Sequence, residues 1–265
     1  MSAIAATIAG SDSGGGAGIQ ADLKTFSALG VYGASIVTAV TAQNTEGVAA
    51  IHDVPPHIIA AQIDAVFSDL AVAAVKIGML AAPLAIGVVA AGLDRWRAAH
   101  VVLDPVMIAT SGDRLLAPDA VALLKRDLIP RALVITPNLH EAAALTGLPL
   151  AQNEDEMRAQ AHALLGLGAK AVLIKGGHAQ SAQAVDLLVT PAAVARFSAE
   201  KIDTPNTHGT GCTLSAAIAA SLAKGHTLAE AVADAKAYVT AAIAAADELS
   251  VGRDPGPVHH FHAWK

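Results

Sequence analysis

Short apolar runs, each followed by a helix-like stretch, recur along almost the whole of this 265-residue chain. Residues 4–9, 35–40, 73–77, 101–103, 133–135 and 171–174 read as strands. Between and after them, residues 17–29, 56–70, 83–96, 119–128, 154–165, 211–224 and 228–249 read as helices. In the second of these, Ile59, Ile63, Val66 and Leu70 fall on one stripe at spacings of three and four, the period of a helix with one buried face. A strand that is apolar on both faces must be covered on both. The alternation therefore predicts an α/β protein with a central, mainly parallel sheet between two helical layers. A short two-strand stretch, 184–189 and 194–198, interrupts the pattern late in the chain. No linker, low-complexity tract or fixed-period repeat divides residues 1–265, which predicts a single domain.

Composition agrees with a large core and excludes several classes. The chain is 54% hydrophobic and 15% charged, with a net charge of −6. Mild acidity without a Lys/Arg cluster argues against a nucleic-acid surface. The uncharged stretch 77–93 is shorter than a membrane span and is built from Ala, Gly and a proline, so it reads as a strand end and a buried helix. Residues 4–9 are short and soon followed by Asp12, which predicts a first strand and not a signal peptide. Cys212 is the sole cysteine and fits a reducing compartment, so a cytoplasmic protein is expected.

The polar residues that close the strands suggest a site. Asp104, Asn138 and Lys175 each fall just beyond a short apolar run, where open α/β sheets bind ligands. Each also has a local explanation: Asp104 as a turn former before Pro105, Asn138 as a helix N-cap with Glu141 completing a capping box, and Lys175 as a solvated strand end. The segment His208-Gly209-Thr210-Gly211-Cys212-Thr213 runs straight into an apolar helix. Unpaired N–H groups and a partial positive charge at such a terminus suit an anion, and glycines let it approach closely. The helix field there favours a thiolate at Cys212. The alternative is a tight turn before a core helix, with an inert buried cysteine. Together, an anion loop, a cation and two carboxylates equip a chain to handle a nucleotide polyphosphate and Mg²⁺.

Two nucleotide signatures are absent. There is no G-x-x-x-x-G-K-[ST], and neither Gly14-Gly15-Gly16-Ala17-Gly18 nor the 209–214 loop satisfies G-x-G-x-x-G. His259, His260 and His262 lie in a proline-containing C-terminal tail, expected on the surface or docked rather than as metal ligands.

Seven segments in order are similar to those of the hydroxymethylpyrimidine/phosphomethylpyrimidine kinases, a thiamine-biosynthesis branch of the ribokinase-like superfamily. They are Ala9-Gly10-Ser11-Asp12-Ser13-Gly14-Gly15-Gly16-Ala17-Gly18-Ile19-Gln20-Ala21-Asp22, Thr41-Ala42-Gln43-Asn44, Lys76-Ile77-Gly78-Met79-Leu80, Asp104-Pro105-Val106-Met107, Thr136-Pro137-Asn138-Leu139-His140-Glu141, Lys175-Gly176-Gly177-His178 and His208-Gly209-Thr210-Gly211-Cys212. The resemblance implies a three-layer α/β/α fold and an ATP- and Mg²⁺-dependent kinase. Its acceptor would be 4-amino-5-hydroxymethyl-2-methylpyrimidine and then its monophosphate. A pyridoxal-type vitamin kinase is the nearest alternative, and a non-catalytic pyrimidine-binding protein a more distant one. A homodimer is implied by likeness alone.

The resemblance also implies roles. Gln43 would hydrogen-bond the aminopyrimidine, since an amide donates and accepts on one plane. Asp22 would hold the hydroxymethyl end, and Gly10, Met79 and Val106 would line the same pocket. Asp104, Asn138, Lys175 and Thr210 would meet the nucleotide, with Glu141 and Asp104 at the metal. Gly209, Gly211 and Cys212 would form the anion hole. Most ribokinase-like members carry an aspartate base where Cys212 stands; cysteine is the pattern of the pyrimidine branch.

Overall fold

The computed structural model describes residues 2–107, 118–177, 183–253 and 255–264. His178, the last residue of one motif segment, lies outside them. In chain order the elements are β1 (Ile4–Ala9), α1 (Gly18–Ala28), β2 (Tyr32–Val37), β3 (Ala39–Asn44), β4 (Gly47–Asp53), α2 (Pro56–Asp69), β5 (Ala74–Ile77), α3 (Pro83–Arg95) and β6 (Val101–Leu103). They continue with α4 (Pro118–Leu123), β7 (Val134–Ile135), α5 (Leu139–Thr146), α6 (Glu154–Leu165), β8 (Val172–Lys175), β9 (Gln183–Val189), β10 (Val194–Glu200), α7 (Thr210–Ala223) and α8 (Leu228–Ala244).

The main sheet has the order β10-β9-β8-β7-β6-β5-β1-β2. Strands β2, β1, β5, β6, β7 and β8 run parallel, and β9 and β10 add an antiparallel end. Chain order reverses at β1, which has β2 on one side and β5 on the other. Loops leaving β1 and β5 therefore part there and open a crevice.

Two local expectations change, and one strand was not expected. Residues 35–40 do not form one strand. The Thr38 N–H donates to the Ala9 carbonyl at 3.0 Å, and its hydroxyl donates to the Met79 carbonyl at 2.9 Å. These bonds turn the chain off the sheet edge, so β3 starts a separate antiparallel hairpin with β4. Strand β4 is half-exposed or exposed throughout, so it lacks the apolar alternation that marks a strand. The helix expected over 119–128 keeps α-geometry only to Leu123 and widens into a π turn over Leu124–Leu128.

Two cores flank the sheet. One joins Ile8, Ile77 and Leu103 to α2, α3 and α6; the other joins Ala5, Val102 and Leu173 to α1, α7 and α8. Helix α7 is buried from Thr213 to Leu222 without a break. Its small side chains let its backbone lie close to the sheet, which fixes where its N-terminus ends. Among the described residues no helix is long and apolar enough to cross a membrane.

The C-terminal tail is docked. His208 N–H donates to the Gly256 carbonyl, Val258 N–H to the His208 carbonyl, and His259 N–H to the Ala242 carbonyl. His260 is buried, and its Nε2 lies 3.1 Å from the Thr213 hydroxyl, within hydrogen-bond reach. Burial, followed by the positive field of Lys24 and neighbouring histidines, pushes its pKa down to about 4. The unfolded chain therefore takes up a proton that the folded chain refuses as pH falls from 6.5 to about 4. Stability should drop across that window by about 3 kcal/mol. Denaturant titrations of the wild type and His260→Gln across the window check this. The variant keeps a hydrogen-bonding partner for Thr213, and its curve should be flatter; identical slopes would contradict the expectation.

Candidate active site

The polar ends of β1, β5, β6, β7 and β8 and the N-terminus of α7 line one cleft of about 690 Å³. Its walls include Gly10, Gln43, Lys76, Met79, Asp104, Val106, Asn138, Glu141, Lys175 and Gly209–Cys212. Every sequence-predicted site residue except Asp22 reaches this wall.

The two glycine loops differ in purpose. In the first, the buried Asp12 carboxylate accepts the N–H groups of Gly14 (2.8 Å), Gly16 (3.0 Å) and Ala17 (2.8 Å). The loop's amides are thus turned onto the chain's own anion. The same carboxylate lies 3.2 Å from His208 Nε2, so it also ties this loop to the second. Burial raises the Asp12 pKa, but His208 and the loop amides outweigh it and hold the carboxyl below its ordinary range. Gly209 completes the joint. Its φ is +79°, and a Cβ there would lie 1.9 Å from the Gly16 carbonyl oxygen.

The second loop is the one left open. No side chain caps α7. Thr210 N–H turns back to the Thr207 carbonyl (3.2 Å), as does its hydroxyl (2.7 Å), and Thr213 N–H takes the Gly209 carbonyl (2.9 Å). The N–H groups of Gly211 and Cys212 remain at the cleft. A Cβ on Gly211 would come 3.2 Å from Lys175 Nζ and 3.7 Å from Asp104 Oδ2, so the glycine lets backbone donors, cation and carboxylate share one small volume.

Lys175 is the cation of that volume. Its Nζ lies 2.9 Å from Asp104 Oδ1 and 4.0 Å from Glu141 Oε2. Thr136 donates to Asp104 Oδ1 at 3.1 Å, and Ser215 Oγ lies 3.3 Å from Oδ2. Asn138 and Glu141 form the capping box of α5. The Asn138 N–H donates to Glu141 Oε2 (2.8 Å), and the Glu141 N–H donates to Asn138 Oδ1 (2.9 Å). The local explanation and the functional one thus hold together: the cap is what fixes Glu141 at the cleft. Burial pushes the Glu141 pKa up to about 7, against the pull of Lys175. Burial also works on Asp104, but Lys175 and Lys76 overcome it and keep that carboxyl below its ordinary range. Among the described residues no cluster of three or more metal-ligating side chains exists. Two carboxylates at one cleft nevertheless suit Mg²⁺, which is commonly held by one or two carboxylates, substrate phosphates and water.

Cys212 and Asp22 depart from expectation. The helix field favours a thiolate, but burial outweighs it and pushes the Cys212 thiol up to about 11, even though Lys76 pulls it down. The side chain is a thiol at neutral pH. Asp22 is fully buried and lies outside the cleft lining. Its Oδ2 accepts from Lys76 Nζ at 2.8 Å and from the Thr7 hydroxyl at 2.6 Å. Asp22 is thus paired with the Lys76 ammonium.

Gln43 reaches the cleft because β3 bulges at Ala42/Gln43, which re-aims one side chain. The Gln43 Oε1 accepts from Thr41 Oγ1 (3.2 Å), and its N–H donates to Ser13 Oγ (2.8 Å). Sequence reasoning passed over Asp12, Lys76 and the pair Asp186–Lys236. Asp186 Oδ1 accepts the Gly176 N–H (3.0 Å), and Oδ2 meets Lys236 Nζ at 2.7 Å. One signal was available for Lys76: a lysine inside an otherwise apolar strand.

The family model for phosphomethylpyrimidine kinase matches residues 12–259. A hydroxymethylpyrimidine/phosphomethylpyrimidine kinase of Rhizobium meliloti is 62% identical over 264 residues, covering 100% of this chain and 99% of the relative. A solved phosphomethylpyrimidine kinase from Clostridium difficile 630 superposes with a TM-score of 0.81 at 48% identity, covering 91% of this chain and 99% of that one. A Bacillus subtilis pyridoxal kinase solved as an ADP complex gives a TM-score of 0.92 at 38% identity, covering 99% of each chain.

Proposed function

The chain belongs to the phosphomethylpyrimidine kinase family, and from that premise we propose how its cleft divides the work of phosphoryl transfer. The activity is that of a thiamine-biosynthesis kinase, phosphorylating hydroxymethylpyrimidine and then its monophosphate. The fold is ribokinase-like α/β.

The contacts set an order along the cleft. Gln43, Gly10, Met79 and Val106 form the acceptor wall. Cys212 follows, then its chain neighbour Gly211 against Lys175, then Asp186 opposite Lys175 in the sheet, then Lys236. The apolar Ile202, Val239 and Ile243, which line the same cleft, suit a flat nucleotide base. The α7 N-terminus stands between the two arms, and that single placement carries the reading. Backbone N–H groups of Gly211 and Cys212, with Lys175, meet the charge that develops on the transferring group. Asp104 and Glu141 would hold Mg²⁺, which supplies charge neutralisation on the phosphates when bound. Asn138 and Thr210 keep the loops around the phosphates in place. In the first reaction Cys212, once its own thiol proton has passed to solvent, would take the proton of the acceptor hydroxyl, an S–H bond forming as the O–H bond breaks; in the second the acceptor phosphate is already ionised.

Product analysis after incubation with ATP, Mg²⁺ and each candidate alcohol tests the reading. Pyrimidine mono- and diphosphate are the expected products. Phosphorylation of pyridoxal alone would transfer the site to a pyridoxal-type kinase, and ATP turnover indifferent to either alcohol would overturn the acceptor wall. A homodimer in the cytoplasm completes the proposal. The exposed Val40 and Ile51 of the β3–β4 hairpin support the first part, and the lone, unpaired cysteine supports the second.

Gln43→Ala should weaken pyrimidine binding by about 1–3 kcal/mol, because ring polar atoms lose their partner, and leave ATP binding unchanged. Calorimetry with each ligand separates the two, and equal losses would place Gln43 outside the acceptor pocket.

A further inference from the structure

Residues 11–13 are bonded to both arms of the cleft. Ser11 and Ser13 hold the strand that presents Gln43. The Ser13 hydroxyl donates to the Gln43 carbonyl at 2.6 Å and accepts the Gln43 N–H at 2.8 Å. The Thr41 hydroxyl donates to the Ser11 carbonyl at 2.8 Å and lies 3.2 Å from Gln43 Oε1, while the Thr41 N–H donates to Ser11 Oγ at 3.2 Å. Asp12, between the two serines, reaches His208 Nε2 at 3.2 Å instead. His208 is itself pinned on both sides by the docked tail: its N–H donates to the Gly256 carbonyl at 3.1 Å, and its carbonyl accepts the Val258 N–H at 3.2 Å. The next residues are the anion loop, Gly209–Cys212. A Cβ on Gly16 would lie 2.3 Å from His208 Cδ2, so a glycine on each loop lets the two touch. The Asp12 carboxylate does not need the ring in order to be buried, because three backbone N–H groups already satisfy it. An ionised carboxylate only accepts, so Nε2 carries the hydrogen of the bond. What the ring adds is a link between loops 196 residues apart in the sequence.

We propose that Asp12 and His208 are positioning residues for the transfer: their hydrogen bond holds the acceptor wall in register with the anion loop, and so sets how closely the acceptor oxygen approaches the phosphoryl group. Gln43 fixes where the acceptor ring sits. Ser11 and Ser13 carry that position to Asp12, and His208 carries it to the turn that presents Gly211 and Cys212. Neither Asp12 nor His208 needs to touch the acceptor; each acts through the loop it holds. Register of this kind matters, because a misplacement of about 1 Å can cost roughly 10²-fold in rate. The inference rests on the proposed division of the cleft into an acceptor wall and an anion loop.

Two amides one methylene apart make the test. His208→Gln places a side-chain N–H at about the reach of Nε2, whereas His208→Asn carries the same group too short to meet Asp12. With the pyrimidine alcohol and saturating ATP and Mg²⁺, kcat should fall roughly 10–100-fold in His208→Asn and recover most of that loss in His208→Gln. The affinity for ATP, read by calorimetry, should stay at the wild-type value in both. The double variant Asp12→Asn/His208→Asn should lose less than the product of the two single losses, because one bond can be broken only once. Equal losses in the two histidine variants would make His208 a packing residue of the turn. Multiplicative losses would separate it from Asp12, and weakened ATP binding would make it a direct contact of the nucleotide. Each of these overturns the proposal, as does wild-type kcat in His208→Asn. If His208→Asn does not fold, Asp12→Asn decides, measured well below its melting temperature: a lowered kcat at unchanged ATP affinity supports the proposal, and wild-type kcat overturns it. A failure of the acceptor assignment shows in the wild type itself, by product analysis, whereas a failure of this positioning role shows only in the comparison of variants.

Discussion

Cys212→Ser should lower kcat with the alcohol acceptor by roughly 10²–10⁴-fold, the usual loss when a general base is removed. With the pyrimidine monophosphate as acceptor, the same change should be slight. The difference comes from the acceptors. A hydroxyl must lose a proton as it attacks, whereas a phosphate monoester arrives ionised and needs only to be positioned. The substitution leaves the backbone donors of Gly211 and Cys212 in place, so the anion site survives in the variant. The fold should survive too, since Cys212 is half-buried and serine is close to it in size. The structure raises the demand on this residue, because burial leaves a thiol where the helix field predicts a thiolate. Steady-state kinetics with the two acceptors, beside a thermal melt, decide the matter. Equal losses for both would make Cys212 a packing residue of the anion loop, and a fully active serine enzyme would remove the base altogether, as a strongly dissociative transition state allows.

What could be read before folding, and what could not, follows from the range of the forces involved. Apart from β2, the main-sheet strands and α6 were legible because each is specified by its own apolar pattern; α6 begins and ends at the expected residues. The cleft position was legible because polar residues at strand ends converge in any open parallel sheet. The hairpin β3–β4 was not, because β4 buries almost nothing and Thr38 turns the chain through bonds to Ala9 and Met79, partners on β1 and beyond β5. The pairing of Asp22 with Lys76 was not legible, because the two are 54 residues apart and no local pattern reveals an ion pair across that distance. The Cys212 thiol illustrates competition between a short-range and a collective effect. The helix terminus is visible in a six-residue window, whereas the burial that outweighs it is assembled from the whole cleft.

The largest combined effect should come from Lys175→Met. Lys175 Nζ sits between Asp104, which is nearly inaccessible, and Glu141, and no other cation contacts either carboxylate among the described residues. Removing it takes away the only ion-pair partner of a buried carboxylate and leaves it only the weaker field of Lys76, a loss that typically costs up to about 3–5 kcal/mol. The same removal takes a positive charge from the transferring group and should lower kcat by about 10²–10³-fold. The two losses have separate remedies. Adding Asp104→Asn to Lys175→Met discharges the orphaned partner while keeping a side chain that can meet Thr136 and Ser215. Stability should then recover much of what the single variant lost, while turnover should stay low, because neither the cation nor the metal-side carboxylate has returned. Denaturant melts and kcat at saturating ATP and Mg²⁺ on the single and double variants separate the roles. If turnover recovers along with stability, Lys175 serves only to neutralise Asp104. If Lys175→Met keeps wild-type kcat, it is no more than the solvated end of β8.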